Sequence, residues 1–124
     1  MGKSYKILIA EDDVKLQKVL SAKIEREGWK VAVAIDGTEG LRRIEEFKPD
    51  IVLLDIRMPR MNGFEMLEEL RKKFDAKDLP VLVLTNYGEP ENISQAIKLK
   101  AEAFMVKSDH SLEEVIVKIK EILK

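Results

Sequence analysis

Ile51-Val52-Leu53-Leu54-Asp55, followed by Ile56-Arg57-Met58-Pro59-Arg60-Met61-Asn62-Gly63, decides how the chain folds. Four apolar residues run straight into one carboxylate, and a Pro/Asn/Gly turn follows. A short continuous apolar run bounded by turn residues fits a strand buried on both faces. Asp55 then stands at the strand's C-terminal end, the edge of an open α/β sheet where ligands bind.

The segments on either side alternate in the same way. Ile7 to Ala10 reads as a first strand and ends at Glu11-Asp12-Asp13. Leu16, Val19, Leu20 and Ile24 follow at helical spacing, and Gly28 stops that helix. Val31 to Ile35 reads as a second strand. Asp36 is placed to cap a helix carrying Leu41 and Ile44, with Glu39 completing a capping box. After the central strand, Phe64, Leu67, Leu70 and Phe74 mark a third helix. Val81 to Leu84 is a fourth strand ending at Thr85, and Ile93, Ala96 and Ile97 belong to a fourth helix. Ala103 to Val106 is a fifth strand ending at Lys107. Ser111 and Glu114 form a capping box for a last helix, with Leu112, Val115, Ile116, Ile119 and Leu123 on one face.

Five strands alternating with five helices imply parallel strands with right-handed crossovers. The most economical arrangement is α/β and flavodoxin-like, a doubly wound sheet of order 2-1-3-4-5 with its switch point between strands 1 and 3. Residues 1–124 are expected to form one domain with no output domain.

Composition narrows the function. The apolar fraction of 45% suffices for a packed core. Lysine and arginine nearly balance the acids at a net charge of −1, which argues against a broad grip on nucleic acid or anionic lipid. The absence of cysteine removes disulfides, thiol nucleophiles and thiolate metal sites. No apolar run approaches the roughly 20 residues of a membrane span. With no signal peptide legible, a cytoplasmic location is expected.

In the parallel sheet, Glu11-Asp12-Asp13, Asp55, Thr85 and Lys107 share one edge. Clustered carboxylates repel one another unless a cation compensates. Oxygen-only ligands favour Mg²⁺, with Mn²⁺ the alternative. Thr85 can donate to a phosphoryl oxygen, and Lys107 supplies a point charge for the same anion. Asp55 is then free to act as nucleophile and form an acyl phosphate. Taken singly, each residue has a plainer role: Asp12 or Asp13 as a helix cap, Asp55 as a turn former, Thr85 as structure, Lys107 as surface. Four strands delivering complementary groups to one edge make the joint reading. His110 is expected at the surface and Trp29 in packing.

These residues resemble the receiver domain of two-component response regulators, and the resemblance covers nearly the whole chain. Leu53 to Gly63 looks like the family's phosphoacceptor stretch, and Glu11-Asp12-Asp13 resembles its acidic pair with a preceding acid. The resemblance implies that Asp55 takes a phosphoryl group from a sensor histidine kinase or phosphotransfer protein. It implies that Asp12, Asp13 and Asp55, with the backbone carbonyl of Arg57, hold Mg²⁺. Lys107 would contact the phosphoryl oxygens, Thr85 would move toward them, and Phe104 would turn inward as the second switch residue. The surface of the fourth helix, fifth strand and fifth helix would then change for a downstream protein, with a phosphorylation-dependent homodimer as one outcome. Neither direct nucleic-acid binding nor membrane binding is implied, and catalysis is confined to the domain's own phosphorylation and dephosphorylation.

Three positions depart from the family pattern. Ser108 follows Lys107 where proline, joined by a cis bond, is usual; a cis bond to a non-proline costs about 3 kcal/mol, which leaves the isomer at Lys107-Ser108 and the shape of this loop open. Asn86 replaces a small residue after Thr85. Phe104 lacks the hydroxyl of the commoner tyrosine. Arg57 and Tyr87 occupy the variable flanking positions, where large side chains would hinder water and prolong the acyl phosphate. An aspartate-dependent phosphohydrolase would instead place an acid where Arg57 stands. A flavodoxin-like electron carrier would need a phosphate loop where the acidic cluster stands. A docking module without phosphorylation would not need all these groups.

Overall fold

The computed structural model describes residues 3–124; Met1 and Gly2, though inside the expected domain, lie outside them. The chain runs β1 (Lys6–Ala10), α1 (Val14–Glu25), β2 (Lys30–Ala34), α2 (Gly37–Phe47), β3 (Ile51–Leu54), α3 (Gly63–Lys73), β4 (Val81–Thr85), α4 (Pro90–Lys98), β5 (Ala103–Val106) and α5 (Leu112–Leu123), with a short 3₁₀ turn at Lys107–Asp109. The strands form one parallel sheet in the order β2-β1-β3-β4-β5, as the alternation requires. No helix among the described residues is long and apolar enough to cross a membrane.

Side chains of period two divide the interior into two layers. Leu8, Val52, Leu54, Val81 and Val83 pack under Ile44 of α2, Met66, Leu67 and Leu70 of α3, and Ala96 of α4. Ile7, Ile9, Ile51, Leu53, Leu82 and Leu84 face Leu20 and Ile24 of α1 and Val115, Ile116 and Ile119 of α5. Every residue of β3 is buried, which is what an unbroken apolar run in a central strand requires. Trp29 packs edge-on against Tyr5, with ring centroids 5.8 Å apart.

The helix starts follow local chemistry. Ser111 and Glu114 form a complete capping box at α5. Asn62 and Glu65 form another at α3, where the sequence reading saw only a turn. At α2 only half of the expected box is made. Asp36 accepts from the Glu39 N–H at 2.7 Å, but the Glu39 carboxylate accepts from the Ile35 N–H at 2.9 Å instead of from Asp36. Asp36 also pairs with Arg60, and the Gly37 N–H donates to the Met61 carbonyl at 2.8 Å. These bonds fasten the β3–α3 loop to the start of α2.

Two faces differ from the helical pattern in the sequence. Val19, expected inside, is 51% exposed. Its place is taken by Gln17, which is buried because its amide donates to the main-chain carbonyls of Glu11 and Ala34. In α4 only Ala96 is buried; Ile93 is exposed and Ile97 is 69% exposed. A nine-residue helix at the end of a sheet offers one narrow contact stripe, and a small residue fills it. Ile35 falls just outside β2 and is exposed.

Hydrogen bonds from the Glu39 N–H and from Arg60 hold Asp36 below the usual carboxylate range. A depressed folded-state value means stability that is present above the unfolded value, near 4, and is lost as pH falls through the folded one. Asp36→Asn keeps a competent cap and removes the charge. Urea unfolding is expected to show a loss of about 1 kcal/mol at pH 7 that shrinks as the pH falls through the depressed folded-state value.

Candidate functional site

The C-terminal edge of the sheet collects the polar residues. Glu11 continues β1, its N–H donating to Ala34 at 2.9 Å, and Asp55 continues β3, its N–H donating to Ala10 at 3.0 Å. The sheet therefore fixes the main chain at both acids. Gly63 closes in behind them: its N–H donates to the Ile56 carbonyl at 2.7 Å, and a Cβ there would overlap the Asp55 carbonyl oxygen. The Asn62-Gly63 pair thus has two separate reasons, a cap and a close approach.

Lys107 reaches across from β5 and joins the two acids. Its ammonium donates to Glu11 Oε1 at 2.6 Å and to Asp55 Oδ2 at 3.0 Å. All three side chains are largely buried. The Lys107–Ser108 bond is trans, and the lysine reaches Asp55 from the start of the 3₁₀ turn Lys107–Asp109. Burial pushes Glu11 up to about 7; the Lys107 hydrogen bond pulls it down, and the nearby Asp55 charge pushes it further up. Burial also works against the charge on Lys107, yet its bonds to Glu11 and Asp55 hold it above the ordinary lysine value.

Carboxylate oxygens of Glu11, Asp12 and Asp55 lie within 4.8 Å of one another, an arrangement that could hold a metal ion. The residues fit a hard cation, since every donor is oxygen and one acid is exposed to solvent. Asp13, expected among the ligands, is not in this cluster. Its Oδ1 accepts from the Lys15 N–H at 3.0 Å and the Leu16 N–H at 3.2 Å, capping α1. The first turn of a helix leaves its N–H groups without intrahelical partners, and the acid nearest that turn takes them. Glu11 occupies the place the sequence reading gave to Asp13.

Thr85 is fully buried at the end of β4, and its hydroxyl oxygen accepts from the Tyr87 N–H at 3.3 Å. Asn86 is exposed. The Arg57 guanidinium lies 4.0 Å from the centre of the Tyr87 ring, so the two side chains stack on one another. The sequence reading named both residues as flanking positions but not their contact with each other. Phe104 is half-buried, packing against the core on one side and lining a cleft with His110, Glu114 and Val117 on the other. His110 sits at the surface, 3.5 Å from Glu114.

The placement of Asp13 has a direct check. Asp13→Ala is expected to cost about 1 kcal/mol of stability in chemical unfolding, and Asp13→Asn only a few tenths, because asparagine caps as well.

Comparison with known proteins agrees with this geometry. The family model described as the response regulator receiver domain matches residues 7–120. The chain is 37% identical over 96% of its length to a transcriptional regulatory protein CpxR homolog of Haemophilus influenzae, covering 50% of that protein. It is 34% identical over 96% of its length to the alkaline phosphatase synthesis transcriptional regulatory protein PhoP of Bacillus subtilis, covering 48% of it. The chain thus spans about half the length of the curated relatives it matches. Among solved structures, a CheY-like response regulator receiver domain protein from Methanospirillum hungatei superposes with a TM-score of 0.89 at 30% identity, over 98% of this chain and 94% of that one. Fold, acidic edge and family match together place this chain in the response regulator receiver domain family.

Proposed function

We propose that the domain accepts a phosphoryl group on Asp55 from a sensor histidine kinase or a phosphotransfer protein, and that Mg²⁺ is required. The observation that carries this reading is the Lys107 bridge between Glu11 and Asp55, beside an acidic group able to hold a cation. A carboxylate that must attack a phosphoanhydride or phosphoramidate needs a nearby positive charge for the incoming oxygens. Lys107 is that charge.

In the transfer, an Asp55 oxygen attacks phosphorus, and the bond from phosphorus to the donor's imidazole nitrogen breaks. The imidazole leaves with a proton from solvent, and Asp55 carries an acyl phosphate. Lys107 moves from the Asp55 carboxylate to the phosphoryl oxygens. The Thr85 hydroxyl turns to donate to one of them. Glu11, Asp12, Asp55 and the Arg57 carbonyl would hold Mg²⁺, which when bound offsets the repulsion between the acids and the incoming phosphate. Asp13 serves the helix cap.

The output surface is the face of α4, β5 and α5. Ile97 at 69% and Val117 at 54% exposure leave apolar area there, and Val117 lines a cleft with Phe104, His110, Glu114, Lys118 and Glu121. Phe104 stands between that face and the core, where a turn inward would alter the cleft. A downstream protein or a second copy of the chain reads the change. A cytoplasmic location and the lack of direct contact with nucleic acid or membrane go with this reading. The stacking of Arg57 on Tyr87, at the two positions that flank the site by resemblance, supports a long-lived acyl phosphate, since large side chains there hinder attacking water.

The test is incubation with Mg²⁺ and a small acyl-phosphate donor, followed by intact mass. One added phosphoryl group is expected, and none on Asp55→Asn. An adduct that survives that substitution would sink the proposal. In cation titrations, Glu11→Gln and Asp12→Asn are each expected to weaken Mg²⁺ binding on the order of tenfold, while Asp13→Asn leaves it nearly unchanged. Arg57→Ala is expected to shorten the lifetime of the labelled protein several-fold; an unchanged decay rate would remove the flanking stack from the account.

A further inference from the structure

Among the described residues, Gln17 is the one buried polar side chain that neither caps a helix nor belongs to the acceptor edge. Burying an amide costs free energy unless its polar atoms are bonded. Its Nε2 is spent on two main-chain oxygens, donating to the Glu11 carbonyl and, at 3.3 Å, to the Ala34 carbonyl.

Those two carbonyls mark one point in the fold. The Ala34 carbonyl also accepts the Glu11 N–H at 2.9 Å, which continues the pairing of β1 with β2 by one residue. The Glu11 carbonyl accepts no main-chain N–H among the described residues. The chain leaves the sheet there and turns into Asp12 and Asp13. The amide of Gln17 thus replaces the ladder bond that the departing strand loses.

This bond has a geometric consequence. A peptide unit is planar, so the Glu11 carbonyl and the Asp12 N–H move as one rigid piece. Holding the carbonyl sets the direction in which Asp12 leaves the sheet. The other two acids of the cluster are held through their own carboxylates. Glu11 accepts from Lys107 at 2.6 Å and from the Asp13 N–H at 3.1 Å, and Asp55 accepts from Lys107 at 3.0 Å. Asp12 is the exposed member of the three, and its main chain is what directs it.

We propose that Gln17 is a positioning residue for the cation: by holding the Glu11 carbonyl it aims the Asp12 carboxylate at the site and raises Mg²⁺ affinity, without acting in phosphoryl transfer. This rests on the Mg²⁺-dependent phosphoacceptor reading of Asp55. Mg²⁺ tolerates little departure from octahedral geometry, so a ligand already in place binds it better than one that must be reoriented. The carbonyl bond does that work in advance of the cation.

Gln17→Met keeps the length of the side chain and removes the donor. Ile24→Val is the control, because Ile24 is fully buried on the same helix and lies toward the end away from the acidic residues. Mg²⁺ binding to the unmodified proteins is measured by titration calorimetry, under conditions where urea unfolding shows each to be folded. The rate of phosphorylation by a small acyl-phosphate donor is followed by intact mass over a range of Mg²⁺. Gln17→Met is expected to raise the Mg²⁺ Kd about fivefold, the equivalent of one neutral hydrogen bond, and to raise the half-saturating Mg²⁺ by the same factor. Its rate at saturating Mg²⁺ stays at that of wild type, and Ile24→Val leaves all three quantities unchanged. Gln17→Asn, which keeps the amide but withdraws it by one methylene, carries the same expectation should Gln17→Met not fold. A Gln17 variant that binds Mg²⁺ as tightly as wild type, or an Ile24→Val that weakens binding equally, would overturn the proposal. A loss of rate that persists at saturating Mg²⁺ would overturn it too, since Gln17 would then act in the transfer. A wild type that binds no Mg²⁺ overturns the cation reading and the role of Gln17 with it. A wild type that binds Mg²⁺ but takes no phosphoryl group overturns the phosphoacceptor reading, and the calorimetric comparison then decides the role of Gln17 by itself.

Discussion

One ammonium between two carboxylates governs the C-terminal edge of the sheet. Lys107 is shared by Glu11 and Asp55, and burial makes each partner depend on the others. Burial works against the charge on Glu11 and raises its pKa, the Lys107 hydrogen bond pulls it back, and the nearby Asp55 charge adds to the rise. Removing one partner of a buried ion pair is far more costly than the pair is stabilising, because it leaves a charge without compensation. Such a site does not contribute much to folding. It is held ready to redistribute when a new charge arrives, which suits the proposed acceptance of a phosphoryl group.

That arrangement exists only because the sheet is parallel. Glu11, Asp55, Thr85 and Lys107 come from four strands and lie at most distances of 96 residues along the chain, as between Lys107 and Glu11. Parallel strands with helical crossovers bring all their C-terminal ends to one edge. The order β2-β1-β3-β4-β5 sets β1 beside β3, which puts Glu11 next to Asp55. Hydrophobic burial on both faces fixes the register, since a shift by one residue would send each side chain to the opposite layer.

The fold was legible because its signals are strong and local. Unbroken apolar runs such as Ile51–Leu54 specify buried strands, and Ser111 with Glu114 marks a helix start. The strand ends also named the groups of the site, since a carboxylate, a hydroxyl or an amine after such a run must emerge at the edge. What could not be read was the sharing of neighbours. Three consecutive acids all follow β1, and only the start of α1 decides that Asp13 caps while Glu11 and Asp12 face Asp55. The N-x-x-E signature of Asn62 and Glu65 was available in the sequence and was hidden by its Asn-Gly turn. Val19 and Ile97 match helical spacing yet face outward, because spacing says which residues share a face and not how wide the covered stripe is. Gln17 filled the inner position at α1 through its bonds to two carbonyls, a tertiary reason with no periodic signature.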